Sequence, residues 1–341
     1  MARVTINDVA RRAGVSKSSA SFALNGRPGV SDATRARILS VARELDWQPH
    51  SAARALVHAR ADMVGLVFSR PARTLGVEPF YGQFISGLQD ELREHQLGLQ
   101  LAVTEAHTDE IATYRRWRQA TKVDGVILVD LYDNDPRPAA VRDLGLPAVA
   151  VGGAEPLWEG VPVVTTDDYV ATVRILDYLA ALGHRRIAHV AGMGVFRHTR
   201  RRMAAVRDAK ERLGLDWAES VTTDFSDAAS ASATRELLSR PHNLPTAIVY
   251  DSDLLAVAGL GVAHEMGVAV PGELSLVSFD DTVLTKAVHP AMTALRSDPF
   301  ELGVLTARAL VAVIADPSVT IHVASQPPRL VVRESTAAPR D

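Results

Sequence analysis

Three polar side chains near the N-terminus have the types and spacing needed to recognise base edges in duplex DNA. Lys17, Ser18 and Ser21 fall at the start of a short predicted helix and point outward. A lysine ammonium donates hydrogen bonds to guanine O6 or N7, and serine hydroxyls bind either kind of base weakly. Phe22, one turn later, cannot hydrogen-bond, and we expect it to contact a thymine methyl group. The pattern predicts a helix that reads the major groove; a three-helix interaction module without a DNA role is the alternative.

A second set of side chains has the chemistry of a site for a polyhydroxylated ligand. Carboxylates and hydroxyls bind sugar hydroxyls, and aromatic rings cover the C–H faces of a sugar. The candidates follow predicted strands or begin predicted helices: Phe80, Asp130, Ser252, Asp253 and Asp280. Ligands of doubly wound sheets bind at the carboxyl ends of the strands, where these residues fall. Helix capping is the alternative role for Asp253, and core packing is the alternative for Phe80.

The remaining chemistry of the chain argues against an enzyme. The sequence contains no G-x-S-x-G elbow, H-E-x-x-H motif, P-loop or dinucleotide-binding fingerprint. Cysteine is absent, which excludes disulfides, thiol nucleophiles and iron–sulfur clusters, and suits a reducing compartment. The eleven histidines are scattered without the spacing of metal ligands. We therefore expect no catalytic residue, no metal and no cofactor.

Cap residues divide the N-terminal segment into three short predicted helices. Thr5, Ser16 and Ser31 are predicted N-caps, Gly14 permits a tight turn, and Asn25 ends the second helix. Two short helices joined by a tight turn are typical of a helix-turn-helix. Thr5, Asn25 and Ser31 are caps or donors to DNA phosphates, and Ser16 is a further DNA-contact candidate.

The charge of the chain is distributed unevenly. Residues 1–60 carry ten Lys or Arg and four Asp or Glu, a net charge of +6. The other 281 residues carry 27 basic and 36 acidic side chains, so that the whole chain has a net charge of −3. A basic head on an acidic body predicts that the head alone contacts nucleic acid.

From residue 63 onward, apolar runs alternate with amphipathic stretches. At about 100–200 residues per domain, the length of 341 residues predicts two or three domains. The predicted strands are 63–68, 97–103, 123–129, 147–151, 162–166, 186–191, 246–250 and 274–279. The predicted helices between them are 81–95, 109–121, 168–182, 199–213, 227–239 and 252–266. This alternation predicts doubly wound parallel sheets.

The segment at 4–49, VTINDVARRAGVSKSSASFALNGRPGVSDATRARILSVARELDWQP, resembles the LacI/GalR (lactose-repressor) family of bacterial transcription regulators. Further similar segments follow in order at 123–128, 182–192, 245–260, 270–281 and 330–336. The resemblance implies a homodimeric regulator, a repressor, that reads near-palindromic operator DNA with residues 16–24 in each major groove. It also implies control by a small-molecule effector, a sugar or sugar derivative.

The resemblance further implies a hinge at 50–61 that becomes helical on the operator. Leu56 would enter the minor groove as an apolar wedge and bend the duplex. Arg54 would reach phosphates or groove acceptors. Ordinary packing is the alternative role for Leu56.

The fold implied is an all-α helix-turn-helix head (1–49) followed by a periplasmic-binding-protein-like α/β core. Its N-terminal lobe would comprise 62–161 and 291–325, its C-terminal lobe 162–290, and 326–341 would be a C-terminal tail whose end is frayed. Arg202 matches the family's effector-binding arginine and Phe225 an aromatic residue placed over the sugar, with core packing the alternative for Phe225. The neighbouring Arg197, Arg200 and Arg201 are either solvated or favour an acidic or phosphorylated effector.

Two functions compete with that of a regulator. One is a sugar- or nucleoside-binding or -processing protein of the same core fold without a DNA role. The other is a transport-type binding protein, against which the basic head argues, as does an N-terminus that has no apolar stretch. We expect a cytoplasmic protein without a membrane segment, because no apolar run is long enough to span a bilayer.

Overall fold

The computed structural model of the chain describes residues 4–47, 60–69, 79–104, 106–153, 157–158, 160–319, 321 and 323–340. The chain separates into two compact units, Met1–Ala61 and Asp62–Asp341. The hinge predictions for Arg54 and Leu56 lie outside the described residues.

The described part of the first unit contains three helices, as predicted. They are α1 (Ile6–Ala13), α2 (Lys17–Leu24) and α3 (Asp32–Glu44). The hydroxyls of Ser16 and Ser31 accept hydrogen bonds from the amides of Ser19 and Thr34, so both predicted caps are confirmed. Gly14 adopts φ 67°, a left-handed conformation that glycine reaches without a Cβ clash and that ends α1. A small core fixes the three helices; its buried residues are Val9, Ala10, Ala13, Ala20, Ala23, Ile38, Val41 and Ala42.

The second unit alternates strands and helices from Met63. Its first half contains β1 (Met63–Ser69), α4 (Pro79–Glu94), β2 (Gly98–Thr104), α5 (His107–Gln119), β3 (Gly125–Leu128), α6 (Arg137–Asp143), β4 (Ala148–Val151), β5 (Leu157–Trp158), β6 (Val161–Thr165), α7 (Asp168–Ala181) and β7 (Arg186–Ala191). Its second half contains α8 (Arg197–Arg212), β8 (Trp217–Thr222), α9 (Asp227–Leu238), β9 (Ala247–Tyr250), α10 (Asp253–Glu265), β10 (Ser275–Ser278), α11 (Val283–Ala287), β11 (Thr293–Arg296), α12 (Pro299–Ala315), β12 (Val323–Ala324) and β13 (Arg329–Val331). No helix of the described part is both long and apolar enough to cross a membrane.

The strands form two sheets, one in each lobe. The first has the order β12-β6-β4-β3-β1-β2, all parallel, with β5 antiparallel to β6. The second has the order β13-β11-β10-β9-β7-β8, parallel except that β13 runs antiparallel to β11. Helices cover both faces of a parallel sheet, which is why the central strands are apolar throughout.

Two helices of the first lobe pack with their backbones in contact. A Cβ on Gly87 of α4 would lie 1.9 Å from the carbonyl oxygen of Phe300, and one on Gly303 of α12 would lie 2.2 Å from that of Phe84. The glycines therefore permit a helix crossing that a larger residue would prevent. This contact attaches residues 299–315 to the first lobe.

The predicted lobe boundaries are wrong by several residues. Strand β6 pairs with β4, so residues 162–165 belong to the first lobe. Strand β11 pairs with β10, so residues 293–296 belong to the second. The chain therefore crosses between the lobes at 166–167, 297–298 and 325–328. The reason is pairing with distant strands, which the short sequences of β6 and β11 do not reveal.

The prediction that 326–341 is a tail separate from both lobes is also wrong. Strand β13 pairs with β11, and Ser335 beyond it is completely buried. The Ser335 hydroxyl donates to the Leu276 carbonyl at 2.6 Å and accepts from the Thr293 amide at 2.8 Å. These hydrogen bonds fix the C-terminal segment on the second lobe because the buried partners have no access to water.

Candidate functional site

A cavity of about 490 Å³ lies at the carboxyl ends of the strands of both sheets. In each sheet the strand order reverses at one point, between β1 and β3 and between β7 and β9, and ligands of this architecture bind beside such points. All seven residues predicted for effector binding line the cavity: Phe80, Asp130, Arg202, Phe225, Ser252, Asp253 and Asp280.

The first lobe contributes a carboxylate and two aromatic rings. Asp130 follows β3 with φ 52°, which is uncommon outside glycine. The Tyr81 hydroxyl lies 3.0 Å from both oxygens of the Asp130 carboxylate, to which it donates. The ring of Phe80 meets that of Tyr81 edge-to-face, with centroids 5.3 Å apart. Phe80 is half-buried, so it packs and lines the cavity at once.

A buried ion cluster supports the Asp130 backbone. The Arg137 side chain is 1% exposed and lies 2.8 Å from Glu110 and 2.7 Å from Asp135. The same guanidinium donates to the Asp130 carbonyl at 3.0 Å. Burial opposes the charge of Arg137, but the two carboxylates outweigh burial and raise its pKa above the ordinary value. Arg137 thus stays charged and holds the turn that presents Asp130.

Arg202 of α8 forms ion pairs with two aspartates of the second lobe. Its Nε and Nη2 donate to one Asp168 oxygen at 3.0 and 2.8 Å, and its Nη1 lies 3.1 Å from the Asp251 carboxylate. The guanidinium carbon is 3.5 Å from the centre of the Phe279 ring, a cation–π contact. Burial disfavours the charge, but Asp251, Asp168 and Asp280 outweigh it and raise the pKa of Arg202.

Asp251 is buried behind Arg202. His189 Nε2 lies 2.9 Å from one carboxylate oxygen, and the Gly192 amide donates to the other at 2.8 Å. Burial alone would raise the pKa of Asp251, but Arg202 and His189 lower it well below its usual range. Asp251 is therefore a carboxylate at neutral pH.

Ser252 and Asp253 occupy the start of α10. The Ser252 hydroxyl accepts from the Leu255 amide at 3.3 Å, so Ser252 is the N-cap rather than Asp253. The Asp253 carboxylate is 2% exposed and accepts from the Thr282 hydroxyl and from the Leu254 amide. Burial raises the pKa of Asp253 despite these hydrogen bonds.

Phe225 combines core packing with a place in the cavity wall. Its φ of 67° is rare for a bulky residue, and the side chain is 6% exposed. The ring occupies the space that a side chain on Gly192 would need, at 1.8 Å from an ideal Cβ. The His198 ring lies 6.3 Å from it, centre to centre. Strained backbone of this kind is frequent at ligand sites.

The other arginines of α8 are paired with carboxylates. Arg200 and Arg197 contact Asp133 across the lobes, the latter at 3.6 Å. Arg201 lies 2.9 Å from Asp167. Asp280, which follows β10, is half-buried, and the Ser278 hydroxyl holds its backbone.

The DNA-contact candidates of the first unit fall into two groups. Lys17 and Ser18 are exposed on α2, Ser21 is half-buried and Phe22 is 38% exposed, as a base-reading face requires. The others make hydrogen bonds within the head. Thr5, the predicted N-cap of α1, donates through its amide and hydroxyl to Asp8 in a capping box, and the Asn25 amide group donates to the Ser21 carbonyl at 2.8 Å.

Sequence reasoning missed three residues that surround Arg202. Asp251 follows strand β9 directly, in the segment Tyr-Asp-Ser-Asp, so its position was a usable signal. Asp168 looked like an ordinary first-turn acid of α7, and Phe279 like the end of an apolar strand. Their role depends on how α7, α8 and the end of β10 pack around Arg202, which the sequence does not display.

Two family profiles match the chain. The profile of bacterial regulatory proteins, lacI family, matches residues 5–50. The profile of the periplasmic binding protein-like domain matches residues 176–336. The predicted combination of head and core is therefore confirmed.

Individual proteins are similar over nearly the whole chain. The HTH-type transcriptional regulator CelR of Thermobifida fusca is 32% identical over 314 residues, 91% of this chain and 91% of that protein. The solved complex of the transcriptional regulator CelR with cellobiose is 30% identical, with a TM-score of 0.74, and covers 98% of this chain and 100% of that one. The lac repressor dimer bound to operator and the anti-inducer ONPF shares the fold at 23% identity, with a TM-score of 0.85 over 99% of this chain and 100% of that one.

Proposed function

Because the chain belongs to the lacI family of bacterial regulatory proteins and is a DNA-binding transcription regulator, we propose that a sugar in the cavity controls its affinity for an operator. The observation that carries the proposal is that all seven residues predicted for effector binding line one cavity. Its carboxylates suit sugar hydroxyls, and its aromatic rings suit the C–H faces of a sugar.

The acting species in this proposal is a cytoplasmic homodimer that binds a near-palindromic operator as a repressor. Lys17, Ser18, Ser21 and Phe22 contact base edges, and Thr5, Ser16, Asn25 and Ser31 contact the backbone or position the helix. Leu56 wedges into the minor groove and Arg54 contacts the DNA beside it. The sugar changes the lobe arrangement and with it the operator affinity, which is a coupling free energy between two sites.

Two linked measurements test the proposal. First, selection from random duplexes at physiological salt should enrich an inverted repeat. Second, thermal unfolding with mono- and disaccharides, beginning with cellobiose, should identify a stabilising sugar, since a ligand of the folded state raises the melting temperature. That sugar should change the affinity for the selected duplex. Enrichment of no inverted repeat, or a bound sugar without effect on DNA affinity, would contradict the proposal.

A further inference from the structure

Three hydrogen-bonded side chains cross the second sheet behind Arg202. Ser220 of β8, His189 of β7 and Asp251 after β9 are joined at 3.0 Å (Ser220 Oγ to His189 Nδ1) and 2.9 Å (His189 Nε2 to the Asp251 carboxylate). The side chains of His189 and Asp251 are completely buried. Since a carboxylate only accepts, Nε2 carries a proton, and in the neutral ring Nδ1 accepts from the Ser220 hydroxyl. The chain of bonds fixes the Asp251 carboxylate in one orientation.

This orientation determines which hydrogen-bond donors of Arg202 are available to a ligand. The Nη1 group donates to the Asp251 carbonyl at 3.2 Å and lies 3.1 Å from its carboxylate, while Nε and Nη2 both donate to Asp168. Every nitrogen of the guanidinium therefore has a partner within the protein. Two carboxylates share one positive charge, so the group of three carries a net negative charge.

We infer that Asp251, held by His189, is a specificity-determining residue that excludes anionic sugars from the cavity. A guanidinium binds an anion most strongly when two of its donors are available in parallel, and the pairing of Arg202 withholds them. The other arginine in the described cavity wall, Arg174, is exposed and donates to the Pro328 carbonyl at 2.7 Å. The described wall contains eight carboxylates and two guanidinium groups, which also opposes an anion.

Pairing with carboxylates also decides whether the other arginines of α8 favour an acidic or phosphorylated effector. Arg197 and Arg200 contact Asp133, and Arg201 contacts Asp167, so these charges too are matched by carboxylates. The inference rests on the proposed function and narrows its ligand to a neutral or cationic sugar. A phosphorylated or acidic sugar would meet a surface whose positive charges are already compensated.

The test compares neutral and anionic ligands on matched variants. Calorimetric titration with glucose, cellobiose and glucose 6-phosphate should show that the wild-type protein binds a neutral sugar at least about tenfold more tightly than the phosphate. Asp251→Asn retains the shape and an oxygen that accepts from His189, removes one charge and loses the acceptor of the Gly192 amide. It should raise the affinity for glucose 6-phosphate about tenfold relative to the wild-type protein.

Two further variants separate this effect from damage to the fold. Glu265→Gln removes the same charge from an exposed ion pair with Arg235, outside the cavity, and should leave the selectivity at the wild-type value. His189→Leu loses the bond to Asp251 and should shift selectivity in the same direction as Asp251→Asn, by a smaller factor. Inorganic phosphate, compared with chloride at equal ionic strength, should raise the melting temperature of Asp251→Asn more than that of the wild-type protein.

The possible outcomes are distinct. Tighter binding of glucose 6-phosphate than of glucose by the wild-type protein overturns the inference and leaves a sugar-controlled regulator intact. Equal selectivity in Asp251→Asn and the wild-type protein also overturns it. If no sugar binds the wild-type protein, the proposed function fails for these sugars, and the phosphate comparison still decides the inference: stabilisation of Asp251→Asn alone supports it, and an equal effect on both proteins refutes it.

Discussion

Phe225 and Gly192 depend on each other at the scale of single residues. The Phe225 ring lies over the Gly192 backbone at a distance that no side chain on residue 192 allows. The Gly192 amide also donates to Asp251, so the same residue serves the cavity wall and the partner of Arg202. A substitution at residue 192 is therefore expected to affect ligand binding as well as the packing of the core.

Gly192→Ala should force the Phe225 ring out of its position. We expect a loss of about 1–3 kcal/mol in the free energy of unfolding, as overpacked sites show, and weaker binding of the stabilising sugar. Denaturant unfolding and calorimetry measure the two effects. Gly261→Ala is the control, because its added methyl group meets open space on the exposed side of α10, and it should be neutral or slightly stabilising. Equal stability of both variants would contradict the packing argument.

Asp281 supplies a pH-dependent contribution to stability. Its buried carboxylate accepts from Arg296, from Arg333 and from the Thr285 hydroxyl. Burial would raise its pKa, but the two guanidinium groups outweigh burial and lower the pKa. A folded-state pKa below the unfolded value, about 3.9, means that the stabilisation is present above about pH 4. It is lost as the pH falls further, through the folded-state pKa.

Asp281→Asn should therefore lower the free energy of unfolding at pH 7 and flatten its decline below about pH 4. Denaturant unfolding at a series of pH values measures both effects. Curves for the variant and the wild-type protein that stay parallel across the acid range would remove Asp281 from the acid response.

The sequence predicted residues that line the candidate site, but it did not predict which residues pair with them. Asp130 and Asp280 could be found because residues after buried parallel strands share one edge of a sheet. The pairing of Arg202 with Asp168 could not, because these residues meet only when α7 and α8 pack together after a lobe crossing. Local patterns contain chain direction and burial, whereas contacts between distant helices depend on the complete fold.

At the scale of elements, the predicted strands with long apolar runs are present in the structure. Several elements were not predicted because their sequences lack the expected pattern. Strand β8 has the partly polar sequence WAESVT at a sheet edge, and β12 and β13 contain two and three residues. Helix α12 is apolar on nearly every face because it lies between α4 and the sheet, so it lacks the periodicity of an amphipathic helix. Burial on several faces removes the amphipathic pattern from which helices are predicted.

The Arg137 cluster is an element-scale feature, because it joins α5, α6 and the turn after β3. Arg137→Ala would leave Glu110 and Asp135 buried without a counter-charge, and we expect a loss of about 3–5 kcal/mol. Arg93→Ala, which removes an exposed arginine of α4, should change stability by less than about 0.5 kcal/mol. Denaturant unfolding of both variants is the measurement. A loss for Arg137→Ala as small as that for Arg93→Ala would show that water compensates the buried carboxylates.

At the scale of the whole molecule, the candidate residues for the two proposed binding activities lie in different units. Every described residue that lines the cavity lies in Asp62–Asp341, and the DNA-contact candidates lie in Met1–Ala61. Each unit also has hydrophobic clusters of its own. Sugar binding and DNA binding are therefore expected to separate when the chain is divided.

A protein that comprises residues 62–341 alone should bind the stabilising sugar with the affinity of the full chain and show no preference for the selected operator. Calorimetry and DNA-binding anisotropy at fixed salt measure the two properties, since protein–DNA affinities depend strongly on salt. A large fall in sugar affinity on removal of the head would show that the first unit shapes the cavity.

The three crossings between the lobes also dictate an order of events during synthesis. The first lobe needs α12 and β12, which leave the ribosome after the whole second sheet except β13 has been made. The nascent chain thus cannot finish one lobe before starting the other, unlike proteins whose domains mature in turn. A premature stop codon before residue 299 is consequently expected to leave both lobes incomplete, because the first lobe then lacks α12 and β12 and the second lacks β13, although the basic head has been translated.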